Sequence, residues 1–240
     1  MLRARLGLME VDFLVDTGAN ASILPYDCVT RCGLTHHLDQ SLRARLLNTV
    51  AEYQPTIRGR LRAQLHCSNG VVLEPFWVVL DPGIPILGMD VFTGYNCALS
   101  INSTHPKMFI QRPLRQNAAR LANPVNVNCL IQSDLQQAGQ TEWATLDTGS
   151  SCCFVSHTVA QQTRLTIIPL SSQTSSRIHT ITGTAQMVGY AFAYLTFLGK
   201  VIHVRLCVKE HQDEAIIGLD ALLALRLNMN FCVEEEEEET

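Results

Sequence analysis

The sequence predicts a mainly β protein built as two tandem copies of one small domain, related by a pseudo-two-fold axis. Three observations predict it. Asp-Thr-Gly occurs twice, at 16–18 and 147–149, 131 residues apart. A second motif keeps step with the first: Gly88 of Ile86-Leu87-Gly88-Met89-Asp90 lies 72 residues after Asp16, and Gly218 of Ile216-Ile217-Gly218-Leu219-Asp220 lies 71 after Asp147. The apolar segments are short and rich in Val, Ile and Thr, which favours strands. Two motifs recurring at nearly one period mark an internal duplication. About 110 residues per copy is too long for a solenoid unit and the size of a small domain. The 240 residues hold two.

The first copy opens with strands over 2–6 and 11–15, a hairpin around Gly7. Residues 23–25 close the loop after Asp16, and 26–32 suit a short helical turn. Segments 42–47 and 56–65 flank a polar stretch. Residues 71–80 form a strand whose run Phe76-Trp77-Val78-Val79-Leu80 suggests burial on both faces. Asp81-Pro82-Gly83 is a turn, a brief helix follows Gly88, and strands are expected at 98–101 and 108–110.

Residues 112–124 are polar, lack a period and read as a linker. The second copy repeats the order: strands at 125–132 and 141–146, a helical turn at 157–163, a strand at 177–181, a turn at 182–184, strands at 188–197 and 201–208, a helix at 219–225 and a last strand at 228–233. The expected domains are therefore 1–111 and 125–233, with an acidic disordered tail at 234–240.

Composition excludes several classes. The formal charge of −4 becomes +2 once the six glutamates at 234–239 are set aside, so no basic footprint for nucleic acid exists. Arg58, Arg60 and Arg62 alternate and read as the solvent side of a strand. At 47% apolar and 17% charged residues, some apolar surface is left for a seam or cleft. No apolar run reaches membrane-spanning length, so no membrane partner is expected. Nine cysteines, with a strand-like segment in place of a secretory leader, point to reduced thiols in the cytoplasm. Cys28 and Cys32 lack a second ligand pair at zinc spacing, and Cys152-Cys153 read as packed thiols. His36-His37 has no assigned role.

One Asp-Thr-Gly is a common turn after a strand. Two copies on a pseudo-two-fold axis bring two carboxyl groups face to face. Such a pair cannot ionise twice cheaply, so one proton is shared. The ionised member can take a proton from water while the other protonates a carbonyl or amine. Gly18 and Gly149 permit close approach, and the hydroxyls of Thr17 and Thr148 can lock the loops together.

These residues resemble the aspartic proteases, and among them the retropepsins of retroviruses and retrotransposons. The resemblance rests on Phe13-Leu14-Val15-Asp16-Thr17-Gly18-Ala19 and Leu146-Asp147-Thr148-Gly149-Ser150, with the two Gly-centred motifs. It implies tandem acid-protease β-barrels with short helices after Gly88 and Gly218. It implies Asp16 and Asp147 as the catalytic pair, supported by Thr17, Gly18, Ala19, Thr148, Gly149 and Ser150. It also implies flaps at Thr49, Val50, Ala51 and Glu52 and at Ile181, Thr182 and Gly183. Only the second flap carries a glycine, so only that one is expected to close tightly. No cofactor or metal is expected.

The implied activity is aspartic endopeptidase on a peptide or polyprotein, of retroelement origin, in a monomeric pseudo-dimer. Two other readings stay open: a silent module that binds peptides, and a protease active only as a homodimer. Ser150 replaces the alanine found at 19, and a hydroxyl on a carboxylate favours its charge. Asp147 is therefore expected to carry the charge and Asp16 the proton. The second copy lacks an obvious match to the 108–110 strand, so the sheet tying the halves together is expected to be reduced.

Overall fold

The computed structural model describes residues 1–41, 55–67, 70–95, 97–101, 107–110, 123–170, 177–180, 183–210 and 215–230. The first half contains β1 (Leu2–Leu6), β2 (Met9–Val15), β3 (Ile23–Pro25), α1 (Tyr26–Arg31), β4 (Leu38–Asp39), β5 (Ile57–Cys67), β6 (Gly70–Val79), β7 (Ile86–Leu87), α2 (Met89–Gly94), β8 (Cys97–Ser100) and β9 (Lys107–Ile110). The second contains β10 (Asn126–Gln132), β11 (Gln140–Leu146), β12 (Cys153–Ser156), α3 (His157–Gln162), β13 (Ile168–Pro169), β14 (Arg177–Thr180), β15 (Gly183–Phe197), β16 (Lys200–Lys209), β17 (Ala215–Ile217), α4 (Leu219–Ala224) and β18 (Asn228–Asn230).

Each half closes into a six-stranded barrel. The first runs β1-β2-β7-β3-β6-β5 and returns to β1; the second runs β10-β11-β17-β12-β16-β15 and returns to β10. Closure leaves no bare strand edge around the ring. The barrels form because their strands alternate. In β5, Leu61, Ala63 and Leu65 are buried while Arg62 and Gln64 face solvent. Phe13, Phe76 and Phe92 fill the first half and Ile131, Leu195 and Phe197 the second, within one contiguous core. Each such side chain contributes about 1.5–3 kcal/mol of burial.

The halves correspond in detail. β7 lies parallel to β2 and antiparallel to β3, and β17 lies likewise between β11 and β12. The β5–β6 ladder shifts register between Ile57 and Gly59, and the β15–β16 ladder between Met187 and Gly189. A third sheet, β18-β8-β9, joins strands of both halves. Among the described residues the first half contributes β8 and β9 to it and the second contributes β18, paired with β8.

Two sequence expectations change. Residues 183 and 184 belong to β15 and pair with Thr180 and His179 of β14, so they are strand and not turn. Leu80 is exposed and Trp77 half-buried, so the Phe76–Leu80 run is not covered on both faces. The alternating arginines do lie on the outer side of β5, although Arg60 is half-buried against Trp77. The flap positions 49–52 and 181–182, the linker core 112–122 and the tail lie outside the described residues. No helix among the described residues is long and apolar enough to cross a membrane.

Candidate active site

Each Asp-Thr-Gly follows the last residue of a barrel strand, β2 or β11, and is aimed by the strand beneath it. The Asp16 amide donates to Leu87 O at 3.0 Å and the Asp147 amide to Ile217 O at 3.0 Å. The loops then turn back over the glycine motifs: Met89 N donates to Ala19 O and Leu219 N to Ser150 O, each at 2.8 Å. Gly88 and Gly218 are required there. A β-carbon would stand 2.7 Å from Ala21 O in the first case and 2.3 Å from Cys152 O in the second.

The two loops meet across the seam and are tied reciprocally. Thr17 Oγ1 donates to Leu146 O at 2.6 Å and accepts from Thr148 N at 3.1 Å. Thr148 Oγ1 donates to Val15 O at 2.7 Å and accepts from Thr17 N at 3.2 Å. Both threonines are buried. Each hydroxyl thus reaches into the other loop, and the four bonds obey the pseudo-two-fold relation.

Asp16 and Asp147 face each other on this base. Gly18 N and Ala19 N donate to Asp16 Oδ1 at 3.0 and 3.1 Å; Gly149 N and Ser150 N donate to Asp147 Oδ1 at 2.7 and 3.2 Å. These bonds fix both carboxyl planes. Burial pushes the Asp16 carboxyl well above the usual carboxylate range; the charge of Asp147 and a hydrogen bond with Asp147 push the same way. The amides of Gly18 and Ala19 oppose the rise but do not cancel it. The Asp16 carboxyl is thus held toward its protonated form. The hydroxyl bond from which the sequence reading placed the charge on Asp147 does not form. Ser150 Oγ donates to Cys152 O at 2.8 Å and does not touch Asp147; only the Ser150 amide does.

Beneath each loop lies a bracing pair that sequence reasoning missed. Asp90 accepts from Ser22 N at 2.7 Å and Ser22 Oγ at 2.6 Å, and Gly88 N donates to Ser22 Oγ at 3.0 Å. Burial pushes the Asp90 carboxyl up, against the Ser22 bonds. In the second half Cys153 takes the place of Ser22: its thiol donates to Asp220 Oδ1 at 3.1 Å and accepts from Gly218 N at 3.3 Å. The signal was present, since Ser22 and Cys153 each stand six residues after the motif aspartate.

The other sequence features carry no site. Among the described residues no group of His, Cys, Asp and Glu is placed to hold a metal ion. Cys28, Cys32, Cys67, Cys129, Cys152, Cys153 and Cys207 are free thiols. His36 and His37 stack on each other in a short 3-10 turn.

The family model described as "gag-polyprotein putative aspartyl protease" matches residues 4–93. No curated protein matches the chain in sequence. Among solved structures, EIAV protease complexed with the inhibitor HBY-793 is 18% identical, covers 47% of this chain and 94% of its own, and has a TM-score of 0.35. The retroviral protease-like domain of Ddi1 from Leishmania major is 23% identical, covers 48% of this chain and 96% of its own, and has a TM-score of 0.38. With a closed barrel and an Asp-Thr-Gly loop in each half, and the family match confined to residues 4–93 of the first, the fold is two retropepsin-like acid-protease barrels in tandem.

Proposed function

We propose that the chain is an aspartic-type endopeptidase in which Asp16 and Asp147 form one active centre within a single molecule. The observation that carries this reading is the reciprocal lock of Thr17 and Thr148, which holds the two carboxyl groups together with a proton between them. Asp147 takes a proton from a water lying between the carboxyls. The resulting hydroxide attacks the peptide carbonyl, and Asp16 delivers its proton to the carbonyl oxygen. As the tetrahedral gem-diol collapses, one of its hydroxyls returns a proton to Asp16, the C–N bond breaks, and the proton on Asp147 passes to the leaving amine. Water is the nucleophile, and no metal or cofactor enters.

In this reading Gly18, Ala19, Gly149 and Ser150 orient the carboxyls. The substrate is an extended peptide or polyprotein, and a role in processing polyproteins of retroelement origin follows from the family match. The domains are those expected from the sequence, 1–111 and 125–233. Both aspartates come from one chain, which supports a monomeric pseudo-dimer over a homodimer. The free thiols support a reducing compartment, the cytoplasm.

The test is digestion of a peptide library by the wild type beside Asp147→Asn. Cuts made by the first and lost in the second support the reading. A wild type that binds peptides and cuts none makes the chain a silent binding module.

A further inference from the structure

Beside the candidate active site, the second barrel holds a positive charge that no acid among the described residues meets in a hydrogen bond or ion pair. Lys209 ends β16 and is only 4% exposed. Its Nζ stands 4.2 Å from the centre of the Phe154 ring. Among the described residues, no carboxylate, carbonyl or hydroxyl accepts a hydrogen bond from it. Burial lowers the basicity of this amine, and the charge of Asp147 partly restores it. An aromatic face attracts a cation but supplies no counter-charge. The Nζ atom itself keeps access to solvent, so a counter-charge from outside the barrel can reach it.

Its place in the fold says what can supply it. Lys209 pairs with Ser156 of β12 on one side and with Met187 of β15 on the other. Toward its start, β15 runs into the hairpin with β14. Phe154 pairs with Ile216, and the next residue, Ile217, accepts the Asp147 amide. The ammonium therefore lies between the hairpin strand and the strand that leaves the Asp147 loop. Around it Phe154, Met187, Cys207 and Ile216 form a small apolar cluster separate from the main core. The first barrel has no such charge. Val79 occupies the matching position, paired with Pro25 and Ile57.

We propose that Lys209, seated on Phe154, forms a subsite for a carboxylate: the side chain of a Glu or Asp in a bound peptide, on the second barrel's side of the dyad. Neighbouring strands stand about 4.8 Å apart and an extended peptide advances about 3.3 Å per residue. From β16 to β11 the barrel crosses three such intervals, about 14 Å, so the acid is placed about four residues from the bond at Asp16 and Asp147. The surrounding cluster holds the peptide's apolar stem, and the ammonium takes the charged end. The proposal rests on the endopeptidase reading for its substrate and adds an asymmetry to it: one acidic position, on one side only.

The test uses peptides differing only by Glu against Gln at each position, with the full-length chain. One arm reads cleavage; the other reads binding by fluorescence anisotropy. A charge-assisted hydrogen bond predicts about tenfold tighter binding and about tenfold higher kcat/KM for Glu at one position. Lys209→Met should bring both ratios to about one, and Lys209→Arg should keep a preference. Equal handling of Glu and Gln by the wild type overturns the proposal without any variant, as does the absence of peptide binding. If nothing is cut, the endopeptidase reading fails, and the anisotropy arm still decides the subsite.

Discussion

Asp16 lies against Gly149 of the opposite loop, so closely that a β-carbon at 149 would stand 2.4 Å from Asp16 Cγ. The relation is mutual, with 2.7 Å from Gly18 to Asp147 Cγ. Each carboxyl is packed by the other loop's glycine. Gly149→Ala should therefore displace Asp16 and lower kcat/KM by about a hundredfold or more, the cost of roughly an ångström of misplacement. Peptide cleavage measured beside a circular dichroism spectrum separates this from unfolding.

The threonine lock makes a prediction about stability. Thr148→Val removes the hydroxyl that donates to Val15 O and accepts from Thr17 N, leaving two buried polar groups unpaired. Each costs about 1–3 kcal/mol. Urea unfolding should show a loss of that order, with Thr148→Ser retaining most of the stability. A neutral Thr148→Val would mean that the halves are held by packing alone.

The raised carboxyl of Asp16 makes a prediction about pH. Its folded-state value lies above its unfolded one, so it favours folding fully at acid pH, and that contribution disappears as pH rises through the folded value. Each unit of difference is worth about 1.4 kcal/mol. Asp16→Asn keeps an oxygen for the Gly18 and Ala19 amides. It should flatten the fall in unfolding free energy above the ordinary carboxylate range while lowering activity about 10²–10⁴-fold. A wild type and Asp16→Asn with parallel stability profiles would refute it.

Cys152 is set apart from the other thiols. Its Sγ lies 3.6 Å from Cys207 Sγ, and the hydrogen bond from Cys207 brings it down to about 7, while burial pushes Cys28 and Cys129 up to about 12. Mass-mapped alkylation near neutral pH should modify Cys152 before the buried cysteines. Cys207→Ala should move its labelling midpoint upward.

Backbone strain marks one position where the copies differ. Past α1 the chain turns through Gly33 at φ +69°, while past α3 the same turn uses Arg164 at φ 54°. A non-glycine residue there costs about 1–2 kcal/mol. Arg164→Gly should raise the melting temperature with no change in cleavage.

The duplicated motifs made the barrels and the dyad legible because short Asp-Thr-Gly and Ile-Gly segments each need one backbone geometry, and the geometry repeats at one spacing. Ser22 with Asp90, and Cys153 with Asp220, escaped notice because different side chains do the same bracing in the two copies. The role of Ser150 was misread because a hydroxyl's partner depends on a rotamer: it turns to Cys152 O. Lys209 was hidden for another reason. In a strand ending Cys207-Val208-Lys209, nothing in the alternation says that the lysine folds over Phe154.

The most direct measurement of the central claim is cleavage of one reporter peptide by wild type, and by an equimolar mixture of Asp16→Asn and Asp147→Asn chains. A centre built inside one molecule predicts turnover by the wild type and none by the mixture. Turnover restored on mixing, or a wild type that leaves every peptide whole, would contradict it.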